Sequence, residues 1–294
     1  MLAHMAGIVG YTDMTPFTPY TFGSMSLGKN PSDITQDLIV ARRAIEAGVC
    51  FHSSPTYNNG FAFMVLRAAF DEDRSRVPTM VIKVRDGSAQ LMRFEVEDSC
   101  RRLGLDGIDV AQLVSMDSGP GNLVDQLGTG GPIADELASL RERGLIREAV
   151  IFLNQKNSEA AVATAKRSAL IEGVILYWNS CQCDCSDSAW AAIVEHKIPA
   201  LALRTLGGGP ADKHTGQKSE VLAKLIADAG CRDATEFNLR LAASEPAIQT
   251  TIGGTSSLAH LEDFLAAASN SSPLPEEILT QARALQTLQP PAQG

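Results

Sequence analysis

No run of about 18 apolar residues occurs in the chain, so no membrane-spanning helix is expected. Positive charge is not in excess: 25 Lys and Arg face 34 Asp and Glu, a net charge of −9. That balance argues against nucleic acid and anionic membrane as partners. Residues 1–5 lack a charged region followed by an apolar run, so no signal peptide is expected and a cytoplasmic location is the default. No G-x-G-x-x-G follows any early apolar segment, which weakens an open doubly wound nucleotide-binding sheet. No internal repeat is visible beyond an alternation of short apolar and helical segments.

Cysteine is scarce, with six residues in 294. Cys50, Cys100 and Cys231 stand alone in apolar or helical contexts and read as buried free thiols. Cys181, Cys183 and Cys185 form a C-x-C-x-C run. Its alternate spacing is not the usual chelate and no fourth ligand is evident, so no metal is expected. A reduced, loop-borne thiol cluster is the reading.

What is present is a regular alternation. Short β-branched apolar runs fall at 20–25, 49–53, 79–84, 108–114, 149–153, 173–177, 200–204 and 248–252. Helical patterns separate them at 34–48, 95–103, 133–143, 158–168, 188–196, 220–229, 235–244 and 257–268, with a last one at 275–288. Eight strands separated by helices predict a (β/α)8 TIM barrel, and one barrel of about 250 residues fits this length as a single domain over 1–294. The polar tail from about 289 is expected to be mobile. A Gly-rich stretch, 118–131, and a second long loop, 206–216, follow the fourth and seventh strands. Both would lie over the C-terminal face, where barrel sites form.

The segment 49–60 carries the most chemistry. A buried strand runs into a glycine-closed loop, with His52 and Tyr57 five residues apart at its exit. Lys83 sits inside an apolar strand, where an unpaired lysine is costly, so a functional role is favoured for it. His52 could exchange a proton near pH 7 or satisfy a backbone carbonyl. Arg204, at the end of the seventh strand, would project charge into the barrel mouth toward an anionic or hydroxyl-rich substrate. Tyr177 and Trp178, at the end of the sixth, are secondary substrate-binding candidates that packing would also explain. Ser53 and Ser54 read as loop geometry, Asp117, Asp184 and Asp187 as solvated loop residues, and His4, His196 and His214 as surface residues.

These features resemble the aldo-keto reductase family. Thr21 to Gly28 looks like its first strand, and Val81-Ile82-Lys83-Val84 like the strand bearing its catalytic lysine. Ser99 to Asp109 resembles S-L-x-x-L-x-x-D-x-I-D, Leu140 to Arg147 resembles L-x-x-x-G-x-I-R, and Leu222 to Gly253 resembles the closing segment. The resemblance implies a Tyr proton donor tuned by Lys, with an Asp paired to the Lys and a His orienting the substrate carbonyl. Tyr57 and Lys83 match, whereas the Asp becomes His52 and the orienting His becomes Val114. A phenol with a free pKa of about 10 needs such tuning to work near neutrality.

The resemblance also implies NADP(H), held at positions that have changed. The Ser-Asn pair for the carboxamide reads Leu153-Asn154 and the Gln reads Ile175. The stacking aromatic falls at Leu203 or Arg204, and the adenosine-side Arg and Asn fall at His260 and Phe264. Asn154 and the turn Gly253, Gly254, Thr255 and Ser256 remain as cofactor-binding candidates, the turn by offering backbone N–H groups to a phosphate. Several lost contacts at about 1.5–3 kcal/mol each would weaken NADP(H) by orders of magnitude. Three functions follow. One is acid–base chemistry on a carbonyl- or hydroxyl-bearing, sugar-like small molecule with weak or no cofactor use. The second is an NAD(P)H-dependent reductase with relaxed cofactor recognition. The third is a non-catalytic barrel used for binding. A homo-oligomer is compatible with all three.

Overall fold

The computed structural model describes residues 14–114, 122–206 and 215–287. The expectations for His4, Asp117, His214, the tail from 289 and the parts of the two long loops at 118–121 and 207–214 lie outside them. Nine strands form: β1 (Tyr20–Gly23), β2 (Cys50–Ser53), β3 (Met80–Arg85), β4 (Ile108–Val114), β5 (Ile146–Phe152), β6 (Gly173–Asn179), β7 (Gln182–Cys183), β8 (Ala200–Leu203) and β9 (Ile248–Gly253). Eight of them are parallel and close through the β5–β6 pairing, giving the expected (β/α)8 barrel; β7 is antiparallel to β6.

The side-chain period of two along each strand sorts residues into two cores. Inside the barrel lie Val81, Val110, Val150, Ile175, Leu201, Leu203 and Ile252, closed below by Met14 and Phe17. Thr15 reinforces that closure by donating from N and Oγ1 to Glu148 Oε1, both at 2.8 Å. The outward residues of the same strands, Phe22, Phe51, Ile82, Leu113, Ile151, Val174, Leu176 and Trp178 among them, pack under the helices.

The helices differ from expectation mainly at their ends. The one expected from 95 begins at Ala89, because Ser88 Oγ accepts from Leu91 N and caps it. Phe61–Glu72 was not anticipated. Its first turn is nearly all apolar and no capping side chain announces it; it starts instead from left-handed Gly60. Leu123–Thr129, inside the Gly-rich stretch read as a loop, is helical because Asn122 Oδ1 accepts from Asp125 N. The thiol run is part strand and part loop: Cys183 lies on β7, whereas Cys181 sits in the β6–β7 turn and Cys185 past the end of β7, with the Cys183 and Cys185 sulfurs 3.5 Å apart. Cys50, Cys100 and Cys231 are buried and free, as expected.

Candidate active site

Tyr57 follows β2 on a short turn, Tyr57–Gly60, in which Asn58, Asn59 and Gly60 are all left-handed (φ 50, 56 and 87°). Asn and Gly are the residues that enter this region most cheaply, so Asn58-Asn59-Gly60 is the sequence reason for the turn. The surroundings fix it on two sides. Asn58 Nδ2 donates to the Met25 and Leu27 carbonyls at 2.9 and 2.6 Å. Arg102 donates to the carbonyls of Pro55 and Gly60 at 3.3 and 2.9 Å. Arg102 thus explains part of the Ser99–Asp109 motif, and Asp109 explains another, its carboxylate accepting from Met80 N at the start of β3. Ser54 serves loop geometry as expected, its Oγ accepting from Thr56 N, whereas Ser53 is a fully buried strand residue bonded to Ser24 Oγ at 2.6 Å.

Lys83 reaches inward from β3, and its Nζ lies 5.2 Å from the centre of the Tyr57 ring. No salt bridge or hydrogen bond to a described residue satisfies that ammonium. Burial and then the charge of Arg204 lower the Lys83 pKa. Burial and the neighbouring Tyr177 raise that of Tyr57, opposed by Arg204. Tyr57 therefore holds its proton firmly and is a donor, while Lys83 is moved toward its free amine.

His52 is 2% exposed inside the barrel, its ring 6.1 Å from that of Tyr57. Its Nε2 lies 2.6 Å from Gln112 Oε1. Sequence reasoning did not single out Gln112. The signal was an amide in the inward register Val110–Gln112–Val114 of an otherwise apolar strand. His52 does not titrate near pH 7: burial, helped by Lys83 and opposed by Gln112, holds its pKa at about 4. It is a neutral hydrogen-bonding group, not a proton exchanger at physiological pH and not a stand-in for a carboxylate. Above pH 6.5 the ring is neutral in both folded and unfolded chains, so nothing is lost. Below 6.5 the unfolded chain takes up a proton that the folded one refuses, until about pH 4. Urea unfolding should therefore show the wild type losing about 2 kcal/mol more than a His52→Asn variant between pH 6.5 and pH 5. Equal losses would mean the ring is not desolvated.

Opposite Tyr57, Arg204 leaves the end of β8 with φ +59° and lays its guanidinium 3.8 Å over the Tyr177 ring. Phe152 meets the other side of Tyr177 edge-on at 5.3 Å. Asp184, expected in solvent, is half-buried: its N–H donates to the Tyr177 carbonyl at 2.9 Å, and burial raises its pKa against the charge of Arg204. Asp187 and His196 are exposed, as expected. Trp178 is corrected. It alternates with Tyr177 along β6, so it points away from the barrel mouth, is fully buried and stacks on Trp190 at 6.1 Å.

The positions that the resemblance assigns to NADP(H) have the following surroundings. Ile175, Leu153 and Leu203 are apolar and buried. Asn154 Oδ1 is taken by the backbone N–H groups of Lys156 and Asn157 at 2.9 and 3.3 Å. Thr255 Oγ1 accepts from Ser257 N, and Ser257 Oγ caps the helix Leu258–Ser269, while Ser256 is exposed. The glycines of the turn meet the chain's own atoms. A Cβ at Gly254 would strike the Gly23 carbonyl, and one at Gly253 the Leu206 side chain. Phe264 packs against Tyr20 and His260.

No curated protein matches the sequence. Among solved structures, the holo form of the aldo-keto reductase AKR11C1 from Bacillus halodurans superposes with a TM-score of 0.70 at 20% identity, covering 91% of each chain. An aldo/keto reductase from Klebsiella pneumoniae, solved with NADP and acetate and again with NADPH, gives 0.71 at 19% identity, covering 93% of each chain. At these identities the likeness is one of fold. The sequence matches the Aldo/keto reductase family over residues 20–286, and the chain belongs to that family.

Proposed function

We propose that the chain is a carbonyl- or hydroxyl-directed acid–base enzyme that acts on a small molecule at the C-terminal barrel mouth with weak or no use of NADP(H). The observation that carries this reading is the Tyr57–Lys83 pair, kept at 5.2 Å beside nicotinamide positions that are apolar or bonded to themselves. Tyr57, still protonated, donates to the substrate oxygen. Lys83, its pKa lowered by burial and by Arg204, takes a proton from the neighbouring carbon. The carbon–hydrogen electron pair moves into the carbon–carbon bond and the oxygen gains the phenolic proton, giving an enol, with Tyr57 left as phenolate and Lys83 as ammonium. Where the neighbouring carbon bears a hydroxyl, Lys83 returns its proton to the former carbonyl carbon while the Tyr57 phenolate takes the proton of that hydroxyl, which isomerises the substrate. Where a leaving group stands β to the carbonyl, the Tyr57 phenolate takes back the enol proton, the enol electrons expel the leaving group and Lys83 protonates it, which completes an elimination. His52 and Gln112 support the site from below without changing charge.

An NAD(P)H-dependent reductase is the second reading, favoured by family membership. Thermal unfolding with and without NADPH and NADP⁺ separates the two. Cofactor at 1,000 times its Kd adds about 4.1 kcal/mol of stability, a shift of several degrees. The proposal expects no shift at millimolar cofactor and no nucleotide in the spectrum of the purified protein. A clear shift would establish the reductase.

A further inference from the structure

We infer that the substrate of this site is a carboxylate, with Arg204 as the residue that holds its anionic group. This rests on the acid–base reading above for the reaction, but the binding argument stands on separate observations.

Arg204 is one of four described non-glycine residues with positive φ, at +59°. That region disfavours a long side chain by about 1–2 kcal/mol. Such strain marks a position whose side chain is needed where the backbone puts it. The turn is built to hold it. Asn179 Nδ2 donates to the Arg204 carbonyl at 3.2 Å, and Thr205 Oγ1 donates to the Ala202 carbonyl at 3.0 Å.

The guanidinium carbon lies 3.8 Å over the centre of the Tyr177 ring, a contact that holds the charge at the mouth. Among the described residues the guanidinium makes no hydrogen bond and no ion pair. Lys83, the other basic group of the mouth, has none either. Asp184 is the one carboxylate that couples to Arg204, and it does so from outside ion-pair distance. A third donor points the same way. Gln112 is fully buried, in register with Lys83 on β3, and its Nε2 has no partner.

An unpaired guanidinium and an orphaned amide donor in a partly dry mouth are costly alone, and an anion offsets that cost. An uncharged sugar would leave that charge unmatched. A planar carboxylate matches the arginine fork in two parallel bonds. The Phe152–Tyr177 pair adds an apolar wall for the rest of a small acid.

The test is calorimetric binding, with no turnover needed, of pyruvate, 2-oxobutyrate and phenylpyruvate against their methyl esters. At least one acid should bind about tenfold or more tighter than its ester, the scale of one charge-assisted contact. Arg204→Gly should abolish that preference. Glycine accepts φ +59° without strain, so this variant should melt no lower than the wild type, which separates lost binding from lost folding. Arg204→Lys should keep part of the preference. If no acid outbinds its ester, or if the preference survives in Arg204→Gly, the carboxylate assignment is wrong. Failure of the acid–base reading shows elsewhere, as an undiminished rate in Tyr57→Phe, and leaves these binding constants untouched.

Discussion

Tyr57→Phe should lower turnover by about 10²–10⁴-fold, the range contributed by a positioned acid or base, while the melting temperature stays close to that of the wild type. The two halves of this expectation come from different parts of the structure. The rate loss follows from the proton that Tyr57 alone among the mouth residues is placed and protonated to give. Its pKa is raised by burial and by Tyr177, so the group stays neutral through the physiological range. The preserved stability follows from hydrogen bonding. The loop is held through its backbone, Asn58 and Arg102, and the phenol oxygen has no bond to any described residue. Removing that oxygen leaves no partner stranded, and the ring stays beside His52 and under Lys83. Lys83→Met should cost a similar factor in rate, and it removes a half-buried amino group that has no partner among the described residues, so it should not destabilise the fold. Equal rates in the wild type and both variants would sink the acid–base reading and point to a non-catalytic barrel.

Trp178→Ala should destabilise the protein by about 3–5 kcal/mol, the range for truncating a buried Trp or Phe. The indole is 0% exposed, stacks on Trp190 and belongs to the core between strands and helices. Truncation leaves a cavity that neighbouring strands and helices close only in part. Urea unfolding at neutral pH measures the loss. At a temperature where the variant remains folded, binding of the acids should match that of the wild type, because the site is lined by Tyr177 and not by Trp178. A variant with normal stability and altered substrate binding would place the indole in the mouth after all. Trp178→Phe should lose much less, since most of the buried apolar volume remains.

Much of the architecture was legible in the chain. The eight apolar runs and the helical spacing between them are local patterns, set by periods of 2 and about 3.6 that each segment must satisfy to bury its face. The glycine-closed loop that presents Tyr57 was legible too, and Asn58-Asn59-Gly60 builds it from residues that enter the left-handed region cheaply. The helix Phe61–Glu72 was not legible, since its apolar start carries no capping residue. Leu123–Thr129 was hidden by the glycines around it.

The chemistry of the mouth divides the same way. The sequence by itself determined the barrel, with Tyr57 just past one strand and Lys83 within the next. These depend on short-range patterns and on residue identity. The tertiary structure alone decided what surrounds them. Strand register turned Tyr177 into the mouth and Trp178 out of it. Barrel closure set Gln112 against His52 from a strand two places away, and the resulting desolvation holds that imidazole neutral. The left-handed turn after β8 carried Arg204 across to Tyr177, where its charge lowers the Lys83 pKa and meets no ion-pair partner among the described residues. Burial, charge pairing and pKa are properties of neighbourhoods assembled from distant segments, and no local pattern in the chain encodes them.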